Sequence, residues 1–295
     1  MKVDKVIIAG AAIIVILAII LVIAGACGAC AFLASTPGTH GSFGQTEHEI
    51  RSDTHAGADN IDLTVNTFGG DVIIQEWADN SVKVTYDVFA PSGHLDEILT
   101  STRDTKDGNS TTIIAEAKIR DQNLINLGDR GASVTVVVPK NSSYTLKLNT
   151  AGGKVTVPPL HGSSVYLNTL GGDISLNGGR YDTVDINTAG SRIYASYEAT
   201  NATFNTLGGD IEIDTTQTAG TIEANTAGGD IDVRLPSSAL FSVDATTMGG
   251  RVRHGTIHMT ASKESDWQLI GQTEAGAGNL SIRLHTLGGN IDINY

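Results

Sequence analysis

The chain has 295 residues and a formal net charge of −13 at pH 7. It carries no basic stripe to neutralise phosphates, so nucleic acid is excluded as a partner, and the same acid surplus opposes docking of a folded part on anionic lipid. Aromatic residues are only 5% of the chain and the 34 glycines have no period of three, which excludes a collagen-like fold and leaves Val, Ile and Leu to build the core.

Residues 1–5 are expected to be cytoplasmic and residues 6–26 to form a transmembrane helix. Val6 to Ala26 is a run of 21 residues without a charge, enough at about 1.5 Å per residue to span a hydrocarbon layer of roughly 30 Å. A cleavable signal peptide has an apolar core of only about 7–15 residues. Lys2 and Lys5 precede the run and the next base is Arg51, so the positive-inside rule predicts an N-in, C-out anchor with the head outside the cell membrane. Residues 27–44 read as a stalk: Pro37, Gly38, Gly41 and Gly44 are spread through a stretch without acid or base.

Cys27 and Cys30 are the only cysteines, so the head is expected to hold neither a disulfide nor a cysteine metal site. Ala24-Gly25-Ala26 ahead of Cys27 loosely matches a lipoprotein cleavage box and makes Cys27 a candidate for lipidation. Small apolar residues at a membrane boundary explain the same triplet.

Residues 45–295 form the head, and one phrase recurs through it. NTFGGDVII starts at Asn66, NTAGGKVTV at Asn149, NTLGGDISL at Asn168, NTAGSRIYA at Asn187, NTLGGDIEI at Asn205 and NTAGGDIDV at Asn225. TTMGGRVRH at Thr246 and HTLGGNIDI at His285 complete the set. Most starts lie 18 to 21 residues apart; the first gap is 83 and the last 39. Such a period marks a solenoid, whose units bury their apolar faces only by stacking. Val165 and Leu167, then Ile174 and Leu176, alternate with polar residues, which is strand patterning, and Gly171-Gly172 and Gly178-Gly179 stand at the corners. The expected fold is therefore all-β: a single-stranded, parallel β-helix-like solenoid of about 19–20 residues per coil, behind one N-terminal transmembrane helix.

Residues 77–148 lack the phrase but still alternate, and are expected to make irregular coils. Regular rungs are expected over 149–255 and a cap over 256–295, where Trp267 to Thr286 reads as a hairpin turning at Glu274 to Gly278. The candidate structural positions are columns down the stack. Asn66, Asn149, Asn168, Asn187, Asn205 and Asn225 can bond amide to amide, and Thr169, Thr206 and Thr226 can form a second ladder. The corners are Gly171-Gly172, Gly208-Gly209 and Gly228-Gly229. Ahead of the glycines small and large residues alternate, and Leu207, set between Ala189 and Ala227, is expected to be packed so that Leu207→Asp costs several kcal/mol.

Little in the sequence points to chemistry. The recurring Gly-Gly-Asp suggests calcium, but the period is about twice that of calcium-binding β-rolls, and Lys154, Arg192 and Arg251 put cations in the same column. No metal site and no cofactor are expected. His254 and His258 are four apart without an evident third ligand, and no nucleophile elbow, phosphate-binding loop or HExxH occurs. The acids are spread one per turn, so an enzyme is not expected. Asn109, Asn141, Asn201 and Asn279 begin N-glycosylation triplets, relevant only in a host that modifies them.

The stretch from about Gln45 to Tyr295 resembles the putative-adhesin family of bacterial and archaeal domains of unknown function. Thr169 to Leu176, Thr206 to Ile213, Thr226 to Val233 and Gly69 to Ile73 followed by Trp77 carry the likeness, as does Ala132 to Val157, which looks like that family's entry into its regular rungs. Ser191 departs from the phrase by replacing the second glycine. The resemblance implies a β-solenoid outside the cell, often behind one membrane anchor, and supplies no catalytic residues.

The leading expectation is a non-enzymatic, membrane-anchored surface protein that binds a surface polymer, another cell or an envelope component through a rigid head. The alternatives are an envelope-stress or ligand sensor acting with a membrane partner and, less well supported, a β-helix polysaccharide-active enzyme.

Overall fold

A computed structural model describes residues 46–120 and 130–295. The expected membrane segment, the stalk and Cys27 lie outside these residues. Among the described residues no helix is long and apolar enough to cross a membrane. The first strands are β1 (Thr46–Ala56), β2 (Asn60–Thr67), β3 (Val72–Trp77), β4 (Ser81–Pro91), β5 (Ile98–Asp107), β6 (Ser110–Ile119) and β7 (Gly131–Pro139). The middle of the array holds β8 (Ser143–Thr150), β9 (Val155–Val157), β10 (Leu160–Thr169), β11 (Ile174–Thr188), β12 (Ile193–Thr206), β13 (Ile211–Thr215), β14 (Ala219–Thr226) and β15 (Ile231–Arg234). The last are β16 (Phe241–Thr247), β17 (Val252–Arg253), β18 (Met259–Ser265), β19 (Gln268–Thr273), β20 (Asn279–Thr286) and β21 (Ile291–Asn294).

Each rung has two limbs joined at the glycine corner, and like limbs stack on like limbs in parallel. One ladder runs β6–β2–β8–β10, through the C-terminal halves of β11 and β12, to β14–β20–β16. The other runs β7–β3–β9, through the N-terminal halves of β11 and β12, to β13–β15–β21–β17. Strand residues alternate between inside and outside, and the inward Val, Ile and Leu of both ladders form one core. Along the middle of the stack the paired asparagines lie 19, 19, 18 and 20 residues apart, which sets the length of a coil.

The order of the rungs differs from a simple winding. The rung that starts at His285 does not follow the one at Thr246. It lies between the Asn225 and Thr246 rungs, with β20 parallel to both β14 and β16. The other end has the same exchange: β2 and β3 lie between the β6–β7 rung and the β8–β9 rung. The first gap of 83 residues therefore holds no rungs between its flanking copies, because Asn66 pairs directly with Asn149.

Antiparallel strands cover both ends. β4 pairs with β7 and β1 with β4, while β5 pairs with β6. At the far end β19 pairs with β16 and β18 with β19. The C-terminal hairpin thus turns at Asp266-Trp267, not at Glu274 to Gly278, which instead leads into the inserted β20. Covering the outermost parallel strands shifts the open edge to β1, β5 and β18, which pair on one side only and whose exposed charged residues oppose addition of another chain.

The two glycine pairs of a rung serve different needs. Gly178 and Gly179 have φ of +111° and +112°, which favours glycine, and they bend β11 without ending it. Gly229 has no such angle; a Cβ there would lie 1.9 Å from Gly209 O of the next rung. The corner glycine there is fixed by close approach of backbone to backbone rather than by its torsion angle; at Gly70 of the Asn66 rung, with φ of +117°, both apply.

Candidate functional site

Three columns define the corner, and each has an internal structural task. The threonine comes first. Thr226 Oγ1 donates to Gly209 O (3.0 Å) and accepts from Gly229 N (3.2 Å). The same double bond recurs at Thr150, Thr169, Thr247 and Thr286. These side chains are buried, so the hydroxyl supplies partners to backbone groups that water does not reach. At the Ser191 rung the stitch stretches: Thr188 Oγ1 to Gly172 O is 3.5 Å and Thr206 Oγ1 to Ser191 O is 3.3 Å.

The asparagines form the second column. Nδ2 of Asn149, Asn168, Asn187, Asn205 and Asn225 donates to Oδ1 of the preceding asparagine over 2.8 to 3.1 Å, starting at Asn66. By register, Glu116 continues the column beyond Asn66, and His285 and Thr246 continue it beyond Asn225. Burial holds the His285 imidazole below its usual range, against the pull of Asp244 and Glu223. On the same outer side burial raises the Asp185 carboxyl, while the bond from Asn187 lowers it.

The third column follows the glycine pair, and in space it reads Asp71, Lys154, Asp173, Arg192, Asp210, Asp230, Asn290 and Arg251. Here the carboxylates are capping groups. Oδ1 of Asp71 accepts from Lys154 N (2.9 Å), Asp173 from Arg192 N (3.2 Å), Asp210 from Asp230 N (3.0 Å) and Asp230 from Asn290 N (2.6 Å). Asn290 in turn accepts from Arg251 N (3.1 Å), so Asp230 and Arg251 are not neighbours as sequence order implies. A backbone role accounts for the Gly-Gly-Asp phrase without a metal. Millimolar calcium is accordingly expected to move the melting midpoint by no more than about a degree or two relative to chelator at equal ionic strength, because among the described residues no closed cage of oxygens awaits it. A large calcium-specific rise, lost in Asp210→Ala, would overturn this.

The chain matches the Toastrack DUF4097 family model twice, over residues 59–191 and 142–294. Together these matches span the array from end to end. The chain belongs to the Toastrack DUF4097 family. No curated protein matches it in sequence. Among solved structures it is similar to a putative cell adhesion protein from Clostridium sporogenes, at 11% identity and a TM-score of 0.39, covering 85% of this chain and 99% of that one. A putative adhesin from Bacteroides fragilis has 13% identity and a TM-score of 0.42, with 84% and 97% covered. A putative lipid binding protein from Parabacteroides distasonis has 15% identity and a TM-score of 0.38, with 83% and 96% covered. TM-scores this low lend no support to a function, and the fold rests on the pairing described above.

On the second ladder of this Toastrack head, Glu212, Asp232 and Asp292 are successive in the outer column. Burial and the adjacent Asp292 and Glu212 raise the Asp232 carboxyl, with Arg234 opposing. Among the described residues no group of three or more His, Cys, Asp or Glu is placed to hold a metal. His254 is not set against a ligand set: its Nδ1 donates to Ile257 O (2.9 Å) and its Nε2 lies 3.4 Å from Glu264 Oε1. It lines an end cleft of about 640 Å³ with Val252, Arg253, Glu264, Asp266 and Leu269, and Arg253 is paired with Asp292 at 3.3 Å.

The residue ahead of the glycines is less enclosed than its flanking alanines imply. Leu207 does sit between its expected neighbours, donating its N–H to Ala189 O and accepting from Ala227 N (both 3.2 Å). Its side chain, however, is half-exposed, because the corner turns outward. A carboxylate there keeps part of its water, so Leu207→Asp should cost less than the several kcal/mol of a fully buried site, about 1–2 kcal/mol. A fall in the chemical-denaturation midpoint as large as that for a buried Phe204→Ala would contradict the exposed corner.

Proposed function

We propose that this Toastrack chain is a non-enzymatic surface protein, held by the Val6 to Ala26 span with its N-terminus inside, whose head binds a surface polymer, another cell or an envelope component. The observation that carries this reading is the outer side of the array. Stacked rungs hold the exposed charged column of the corner at fixed spacing along its length, an extended rigid surface of the kind repeat folds offer to large partners. The domain limits follow: 1–5 inside, 6–26 in the membrane, 27–44 as stalk and 45–295 as head.

Two measurements test it. Protease added to intact cells should remove the head and spare the first residues; a head protected until lysis would overturn the topology. The purified full chain should bind saturably to at least one of a panel of cell-wall polymers and whole cells. A folded chain that binds none of them, yet co-purifies with one membrane protein, would replace this reading with that of a sensor.

A further inference from the structure

The corner column ahead of the glycines and the charged column behind them alternate in phase. Down four successive rungs the first reads Ala151, Leu170, Ala189, Leu207, and the second Lys154, Asp173, Arg192, Asp210. In these four a rung with a small residue carries a base and a rung with a leucine an acid; the next rung, with Ala227 and Asp230, ends the pattern. The four ridge residues are half-exposed and the four charged residues are exposed. Within the chain these charges are only loosely engaged: Arg192 Nη2 lies 3.9 Å from Asp210 Oδ2, with both side chains more than half exposed. Asp173 and Asp210 use Oδ1 for the backbone, which leaves their Oδ2 atoms free of that task.

From this pattern we infer that the corner is a self-complementary seam, and that its partner is a second copy of this chain running antiparallel. A two-fold axis perpendicular to the stack lays each column on its own counterpart with the rung order reversed. Setting Leu170 against the second copy's Ala189 then places Leu207 against Ala151, Asp173 against Arg192 and Asp210 against Lys154. All four matches occur at one offset, and the axis repeats each of them. A shift of one rung puts leucine on leucine and acid on acid. A parallel pair would lay the apolar column on the charged one. Over these four rungs size and charge select the same register and the same direction; the flanking rungs set Phe68 against Ala227 but Asp71 against Asp230, which limits the seam to the four.

The seam is narrow. With rungs about 4.8 Å apart, four of them extend only about 15–20 Å, so the contact belongs to the weak, transient class. Antiparallel heads point their entry ends in opposite directions. Taken with the surface function proposed above, on which this placement rests, the geometry fits heads on two facing cells.

Charge exchange in the full chain, purified in detergent and followed by sedimentation velocity, tests the seam. The parent should form a dimer that weakens with added salt. Lys154→Glu with Arg192→Glu gives an all-acidic seam, and Asp173→Lys with Asp210→Lys an all-basic one. Each variant alone should lose at least about tenfold in association constant, and an equimolar mixture should recover it. The acid-to-lysine variant gives up two capping bonds, so its melt is checked. If it fails to fold, Ala189→Leu, which fills the pocket opposite Leu170, should abolish association with an unchanged melt. A monomeric parent, variants that associate as the parent does, or a mixture that does not recover would each overturn the inference. Loss of the dimer with undiminished binding to cells or polymers would leave the surface reading intact.

Discussion

Removing residues 279–295 is expected to abolish cooperative folding of the far half of the array rather than trim one rung from its end. Those residues supply β20 and β21, which lie inside the stack between the β14–β15 and β16–β17 rungs. They bury Leu280, Ile282, Leu284, Ile291 and Ile293, each no more than 1% exposed. At about 2 kcal/mol per side chain this amounts to roughly 10 kcal/mol, comparable to the whole stability of an ordinary domain. Both flanking rungs would also lose ladder bonds. Thermal melts by circular dichroism and limited proteolysis would show a broad, early transition and cleavage beyond Thr226. A truncated chain that melts within a few degrees of the parent would mean that the last rung is peripheral.

Gly229→Ala should be among the most costly of the small substitutions. The added methyl would meet Gly209 O at 1.9 Å and Gly209 C at 2.4 Å, both backbone atoms, so the rungs must move apart. Overpacking of this kind, with weakening of the Thr226 and Thr286 stitches on either side, should cost about 2–4 kcal/mol. The chain contains its own comparison. Ser191 occupies the equivalent place one coil earlier than Gly209, with the adjoining stitches stretched, and its Oγ donates to Gly171 O at 2.7 Å. Gly229→Ser should therefore be milder than Gly229→Ala by about 1 kcal/mol, the worth of one hydrogen bond. Urea denaturation midpoints would rank glycine first, then serine, then alanine. Equal midpoints for all three would show that the corner has slack.

Coil length, strand alternation and the corners could be read in the sequence because they arise from contacts between a residue and its equivalent one rung away. Rung order could not, because Thr and Gly bond identically whichever copy lies alongside. What distinguishes the true neighbours is in the outer columns, where Asn290 both caps Arg251 and is capped by Asp230. The C-terminal turn was misplaced for a related reason: Glu274 to Gly278 has turn composition, whereas Asp266-Trp267 has none of the glycine that marks a tight hairpin. Within 77–148, expected as irregular coils, β6 and β7 make a regular rung that lacks the phrase, although Ala132 O receives the Thr67 hydroxyl at 2.7 Å as a corner glycine would. The alternation ahead of the glycines was visible as sizes but not as exposure, since a corner that points outward and one that packs inward are written with the same residues.

The asparagine column has a direction. Each side-chain amide donates toward Asn66 and accepts from the opposite side, so the amide dipoles add head to tail, as peptide dipoles do along a helix. The donor end faces the Glu116 register position and the acceptor end faces His285. Such a chain is only as continuous as its weakest member: conversion of Asn187 to aspartate, by mutation or by slow deamidation, would set two acceptors against each other and divide one long polarised column into two short ones.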